Sequence, residues 1–243
     1  INLLTKKANS SSKTKIQNLF TYLQFTIQSM LKHLKDTVKS LPLCDELDYK
    51  KICNDFNQSS YDYPKDKTVV QLFEEQVELA PDHTAVEFED EKLSYRELNE
   101  KANIVAHRLR EKGVKPDDFV AIIADRSIEM VAIIFGVMKA SGGYVPLDPT
   151  YPEDRIQFIL EDCKPKLLIK YTKDEVDLPS DLPIIQLEDI KLWNGVTENP
   201  EHINKPSDMA YCIYTSGTTG KPKGTLIEHQ GLVNLKYVFL DML

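Results

Sequence analysis

Absent from the 243-residue sequence is any run of about 18 apolar residues, the length that a membrane-spanning helix requires. Its first residues, INLLTKKANSSSKTK, also lack the basic-then-apolar order of a secretory signal. These absences argue against a membrane span and make the cytoplasm the default location. Cysteine is sparse: Cys44, Cys53, Cys163 and Cys212 lie without the paired close spacing of zinc sites and redox motifs. They read as reduced, buried small hydrophobes. The histidines, His33, His83, His107, His202 and His229, are equally dispersed, so no metal site is expected.

Net charge is −8, and basic residues are not concentrated where nucleic acid would need them. Residues 1–40 carry seven lysines against one acid. Those lysines are spread over a polar lead and a helix, without the aromatic interleaving of a nucleic-acid reading face, so they read as solvated surface. With 42% hydrophobic residues the chain can build a substantial core.

Residues 1–15 have no hydrophobic period and read as a flexible lead. From Ile16 to Val38 apolar residues recur every three or four positions, which predicts one amphipathic helix closed before Pro42. Residues 41–67, with a short helix expected around Tyr49 to Phe56 and then a polar stretch ending in Tyr63 and Pro64, read as an interdomain connector. The main domain is expected over residues 68–243. Thr68 can cap a helix that stops at Pro81, and AVEFEDEKLSY predicts a hairpin reversing at Asp90-Glu91. Ser94 and Glu97 form a capping box, Leu93 and Leu98 a hydrophobic staple, and Gly113 the stop of the next helix. Short apolar runs then alternate with helical patterns: FVAIIA, IEMVAIIFGVMKA, YVPLD, PEDRIQFILEDC, KLLIK, PIIQL and MAYCIYT. That alternation predicts an α/β fold, a mostly parallel sheet flanked by helices.

The stretch TSGTTGKPKG follows the last of these runs. It is neither GxxxxGK[ST] nor GxGxxG, so neither the triphosphatase loop nor a nicotinamide site is indicated. It nevertheless supplies what a polyphosphate needs. Thr215, Ser216, Thr218 and Thr219 offer hydroxyls, Gly217, Gly220 and Gly224 free backbone amides for close approach, and Lys221 and Lys223 add charge. A loop leaving a strand end is where open α/β sheets bind ligands. A flexible Ser/Gly connector is the competing reading. His229, in TLIEHQGL, is expected to start the helix after the loop rather than touch substrate.

TSGTTGKPKG resembles the signature loop of the adenylate-forming superfamily. LSYRELN and MKASGGYVPLDPTYP resemble the first two core motifs of nonribosomal peptide synthetase adenylation domains, in the same order. TIQSMLKHLKDTVKSLPL and FNQSSYDYP resemble the end of a condensation domain and the linker after it, over residues 16–67. The resemblance implies the N-terminal portion of the adenylate-forming fold, truncated. It implies activation of an amino acid with ATP and Mg2+ to an aminoacyl adenylate, then transfer to the phosphopantetheine of a carrier domain. Partners would be the carrier and condensation domains of the same synthetase, with no nucleic acid or membrane. The motifs for adenine, ribose and the C-terminal lysine have no counterpart here, so the chain alone is expected to be inactive. A fragment of an acyl-CoA synthetase or luciferase-like ligase, and a short non-catalytic protein that keeps the scaffold for nucleotide binding or protein interaction, are the alternatives.

Overall fold

In the computed structural model, residues 10–35, 37–42, 44–58, 60, 62–186, 193–215 and 221–242 are described. The chain divides into two units, residues 1–61 and 62–243. The first holds α1 (Ser10–Lys32) and α2 (Glu46–Cys53), the latter capped by the Asp45 carboxylate, which accepts from the Asp48 amide at 2.8 Å. The apolar period predicts α1 from Ile16 to Val38, but the helix runs through the polar residues from Ser10 and ends at Lys32. Leu34 and Val38 fall beyond it and are exposed.

The second unit opens with α3 (Val69–Leu79), whose start is fixed by a reciprocal capping box between Thr68 and Gln71. β1 (Thr84–Phe88) and β2 (Glu91–Ser94) form the expected antiparallel hairpin, turning at Glu89-Asp90 instead of Asp90-Glu91. The register pairs Val86 with Leu93, both packed on the cluster of Phe73, Leu98 and Ala132, and Glu89 takes φ 54° to make the turn. The apolar pair thus sets the reversal one residue early. α4 (Tyr95–Glu111) carries the predicted Ser94–Glu97 box, and Gly113 ends it at φ 82°. Such a cap contributes on the order of 1 kcal/mol.

Then follow β3 (Phe119–Ala124), α5 (Ile128–Lys139), β4 (Gly143–Leu147), α6 (Glu153–Cys163), β5 (Leu167–Tyr171), β6 (Ile184–Gln186), β7 (Met209–Thr215), β8 (Lys223–Glu228) and α7 (His229–Met242). They build a six-stranded sheet in the order β6-β5-β3-β4-β7-β8. All neighbours are parallel except β7 and β8. β3 is buried on both faces: Val120, Ile122 and Ala124 pack under α4 and α5, while Ala121 and Ile123 pack under α6. Each such aliphatic side chain contributes about 1.5–3 kcal/mol on burial, so the core sits on both faces of β3 and β5. β8 departs from the sequence reading. Lys223 and Gly224, expected within the loop, are strand residues, because pairing with β7 overrides the weak strand propensity of KGT.

Candidate functional site

The helices leaving β3 and β4 go to opposite faces of the sheet: α5 joins α4 on one, and α6 covers the other. The outgoing loops therefore diverge at the carboxyl ends of these two neighbouring strands, where open α/β sheets take ligands. A cleft of about 400 Å³ lies there. It is lined by Asp125 and Arg126 after β3, Asp148, Thr150 and Tyr151 after β4, and Ile213 and Tyr214 on β7. The Thr150 hydroxyl and amide donate to the Asp148 carboxylate at 2.6 and 2.9 Å. These bonds hold that carboxyl below the usual carboxylate range.

β7 ends at the edge of this cleft and carries one stem of the sequence-predicted loop; β8 carries the other. Thr215 pairs with Lys223 and Tyr214 with Gly224. On β7, Cys212 and Tyr214 are buried against α6, whereas Ile213 and Thr215 are exposed. Thr215 and its cross-strand partner Lys223 therefore share the face turned away from α6. Lys221 goes the other way, with Nζ 6.0 Å from the Phe158 ring centroid on α6. The two lysines of the motif thus part: Lys223 stands beside Thr215, and Lys221 braces a stem. Ser216, Gly217, Thr218, Thr219 and Gly220 lie outside the described residues.

Gly224 has a role that the composition of the loop does not suggest. A Cβ there would sit 2.8 Å from Cys212 Sγ and 3.0 Å from Tyr214 Cζ, so the residue is small because β7 side chains fill its place. The Tyr214 hydroxyl donates to Asp162 Oδ2 on α6 at 2.6 Å. Burial and then that carboxylate push the phenol above its ordinary range. Nothing in the sequence singles out Asp162 or Phe158, which read there only as parts of a helix.

Behind the site, His229 begins α7 as expected and is fully buried. Its amide donates to the Asp208 carbonyl at 3.0 Å, and Asn204 Nδ2 faces its Nε2 at 3.3 Å. Burial brings its pKa down to about 4. The segment leading into β7 is strapped to α4 and α5 by buried polar groups that the sequence reading missed. Lys139 is fully buried and donates to the Glu74 carboxylate and, at 3.2 Å, to Asn199 Oδ1. His202 Nε2 lies 2.7 Å from the other Glu74 oxygen, and Asn103 donates to the Thr197 carbonyl at 2.6 Å. Charged residues read as surface in a sequence; only the fold reveals that they partner one another. Among the described residues no group of three or more His, Cys, Asp or Glu could hold a metal ion, and no helix is long and apolar enough to cross a membrane.

A protein-family model described as AMP-binding enzyme matches residues 73–241. Bacitracin synthase 3 of Bacillus licheniformis is 42% identical over 236 residues, which is 97% of this chain and 4% of that protein. Gramicidin S synthase 2 of Brevibacillus brevis is 42% identical over 224 residues, 88% of this chain and 5% of that protein. The chain thus spans only a small part of the length of these curated relatives. Among solved structures, the nonribosomal peptide synthetase FmoA3 is similar with a TM-score of 0.73 and 26% identity, over 90% of this chain and 24% of that one. The N-terminal subdomain of Klebsiella oxytoca NpsA gives a TM-score of 0.63 and 29% identity, over 70% of this chain and 44% of that one. The chain belongs to the AMP-binding enzyme family and corresponds to the N-terminal part of an adenylation domain of the nonribosomal peptide synthetase kind.

Proposed function

We propose that residues 215–224 grip the β- and γ-phosphates of ATP while an amino-acid carboxylate attacks the α-phosphorus, yielding an aminoacyl adenylate and pyrophosphate. The observation that carries this reading is the pairing of Thr215 with Lys223 at the end of β7, beside the crevice between β3 and β4. A hydroxyl donor and a cation side by side stabilise charge developing on departing pyrophosphate, and fixed donors of this kind supply much of the catalysis in phosphoryl chemistry. Thr215, Ser216, Thr218 and Thr219 supply hydroxyls, Gly217 and Gly220 let backbone amides approach, and Lys223 supplies the charge. Lys221 and Gly224 shape the stems. Mg2+ carried on the ATP would neutralise part of the phosphate charge beside Lys223.

The acyl group then passes to the phosphopantetheine thiol of a carrier domain. Residues 16–67 are the end of a condensation domain with its linker, and residues 68–243 begin the adenylation domain. We place the chain in the cytoplasm, where ATP is at hand and its four free cysteines stay reduced. The family match and the AMPPNP-bound FmoA3 structure among the similar chains support the choice of nucleotide. The remainder of the domain is needed for turnover, so the 243-residue chain is expected to bind pyrophosphate without catalysing exchange. The test is a titration of the isotopically labelled chain with pyrophosphate, followed by amide resonances. Shifts confined to residues 213–225 and the cleft are expected; absence of any shift at millimolar ligand refutes the reading.

A further inference from the structure

Both stems of the loop are tied to one helix. Tyr214, the residue before Thr215, donates its hydroxyl to Asp162 at 2.6 Å, and Lys221 Nζ lies 6.0 Å from the Phe158 ring centroid. Phe158 and Asp162 are four residues apart on α6, hence one above the other on the same face. The Tyr214 ring reaches α6 beside Gly224, whose missing side chain leaves room for it. α6 itself starts shortly after Asp148 and Tyr151, which line the cleft. We infer that Asp162 and Tyr214 form a latch that holds the β7–β8 stems at the spacing required by the phosphate site, making both positioning residues for the adenylation step. This rests on the reading of residues 215–224 as a phosphate loop.

A purely structural role fits these contacts less well. The latch sits at the loop end of the hairpin, beside the last pair, Thr215 with Lys223, where local opening costs least, and Asp162 is exposed, so its bond adds little to the core. Tyr214 lines the cleft and precedes Thr215, so fixing Tyr214 fixes where Thr215 and its cross-strand partner Lys223 stand beside it. A site held in place before its ligand arrives loses less conformational freedom on binding.

Tyr214→Phe and Asp162→Asn test this in the 243-residue chain, with two readouts. Amide exchange is expected to speed up at Ile213–Thr215 and Lys223–Thr225, by about tenfold, while β3 and α5 keep the protection of the parent chain. Pyrophosphate binding is expected to weaken about fivefold in Tyr214→Phe and about twofold in Asp162→Asn, where an acceptor remains. Unchanged exchange at the stems, or uniform acceleration throughout the unit, overturns the latch. Faster stem exchange with unchanged pyrophosphate affinity overturns its role in the reaction. If the parent chain fails to bind pyrophosphate at all, the phosphate reading fails and the positioning role with it, whatever the exchange data give.

Discussion

Gly224→Ala separates two explanations for a glycine in the loop motif. Relieving a strand of glycine would by itself stabilise the chain by about 0.5–1 kcal/mol. Against that, the new Cβ would lie 2.8 Å from Cys212 Sγ and 3.0 Å from Tyr214 Cζ, inside contact distance of two side chains held against α6. Overpacking of this kind costs about 1–3 kcal/mol. The clash wins, and the expected net is a loss of about 1–2 kcal/mol, or a Tm lower by about 2–8 °C for a unit of this size. Thermal unfolding of the parent and the variant measures it. In a Cys212→Ala background the sulfur is gone, and the same substitution is expected to lose about half its cost, a coupling of about 0.5–1 kcal/mol. A variant as stable as the parent, or a cost untouched by Cys212→Ala, refutes the packing role and returns Gly224 to ligand approach.

Lys139→Met leaves the Glu74 carboxylate buried without its main partner, and about 3–5 kcal/mol of stability should be lost in urea unfolding. Adding Glu74→Leu should recover most of it; no recovery would show that the hub acts through other contacts. His229 titrates near 4 in the fold against 6.5 in the unfolded chain, so between those values only the unfolded state takes up the proton. Stability should therefore fall as pH drops from 6.5 toward 4, by up to about 3 kcal/mol, and His229→Gln should flatten that slope. Lys223→Ala should weaken pyrophosphate binding about tenfold and Lys221→Ala about twofold or less; the reverse order in titration would contradict the parting of the two lysines.

Much of this fold is legible because local signals agree with it. Thr68, Ser94 and Gly113 set helix boundaries by chemistry that acts within four residues, and they stand where the sequence puts them. FVAIIA and KLLIK are strands because a doubly covered parallel sheet needs continuous apolar runs. What the sequence hides is decided by distant partners. KGTLIE has no strand signature of its own and becomes β8 only by pairing with β7. The hairpin turn moves to Glu89-Asp90 because Val86 and Leu93 must face the same cluster. In the candidate site, Thr215 and Lys223 are recognisable from residue type, but Asp162 is not. Its part depends on Tyr214 crossing to a helix 52 positions earlier in the chain.

Whether residues 215–224 serve amino-acid activation is decided by exchange of pyrophosphate into ATP, measured in a polypeptide extended through the rest of the adenylation domain. Exchange is expected to depend on one amino acid, to fall at least tenfold with Lys223→Ala, and to be absent from the 243-residue chain. Exchange that needs no amino acid, or that survives removal of the Lys223 charge, would contradict the assignment.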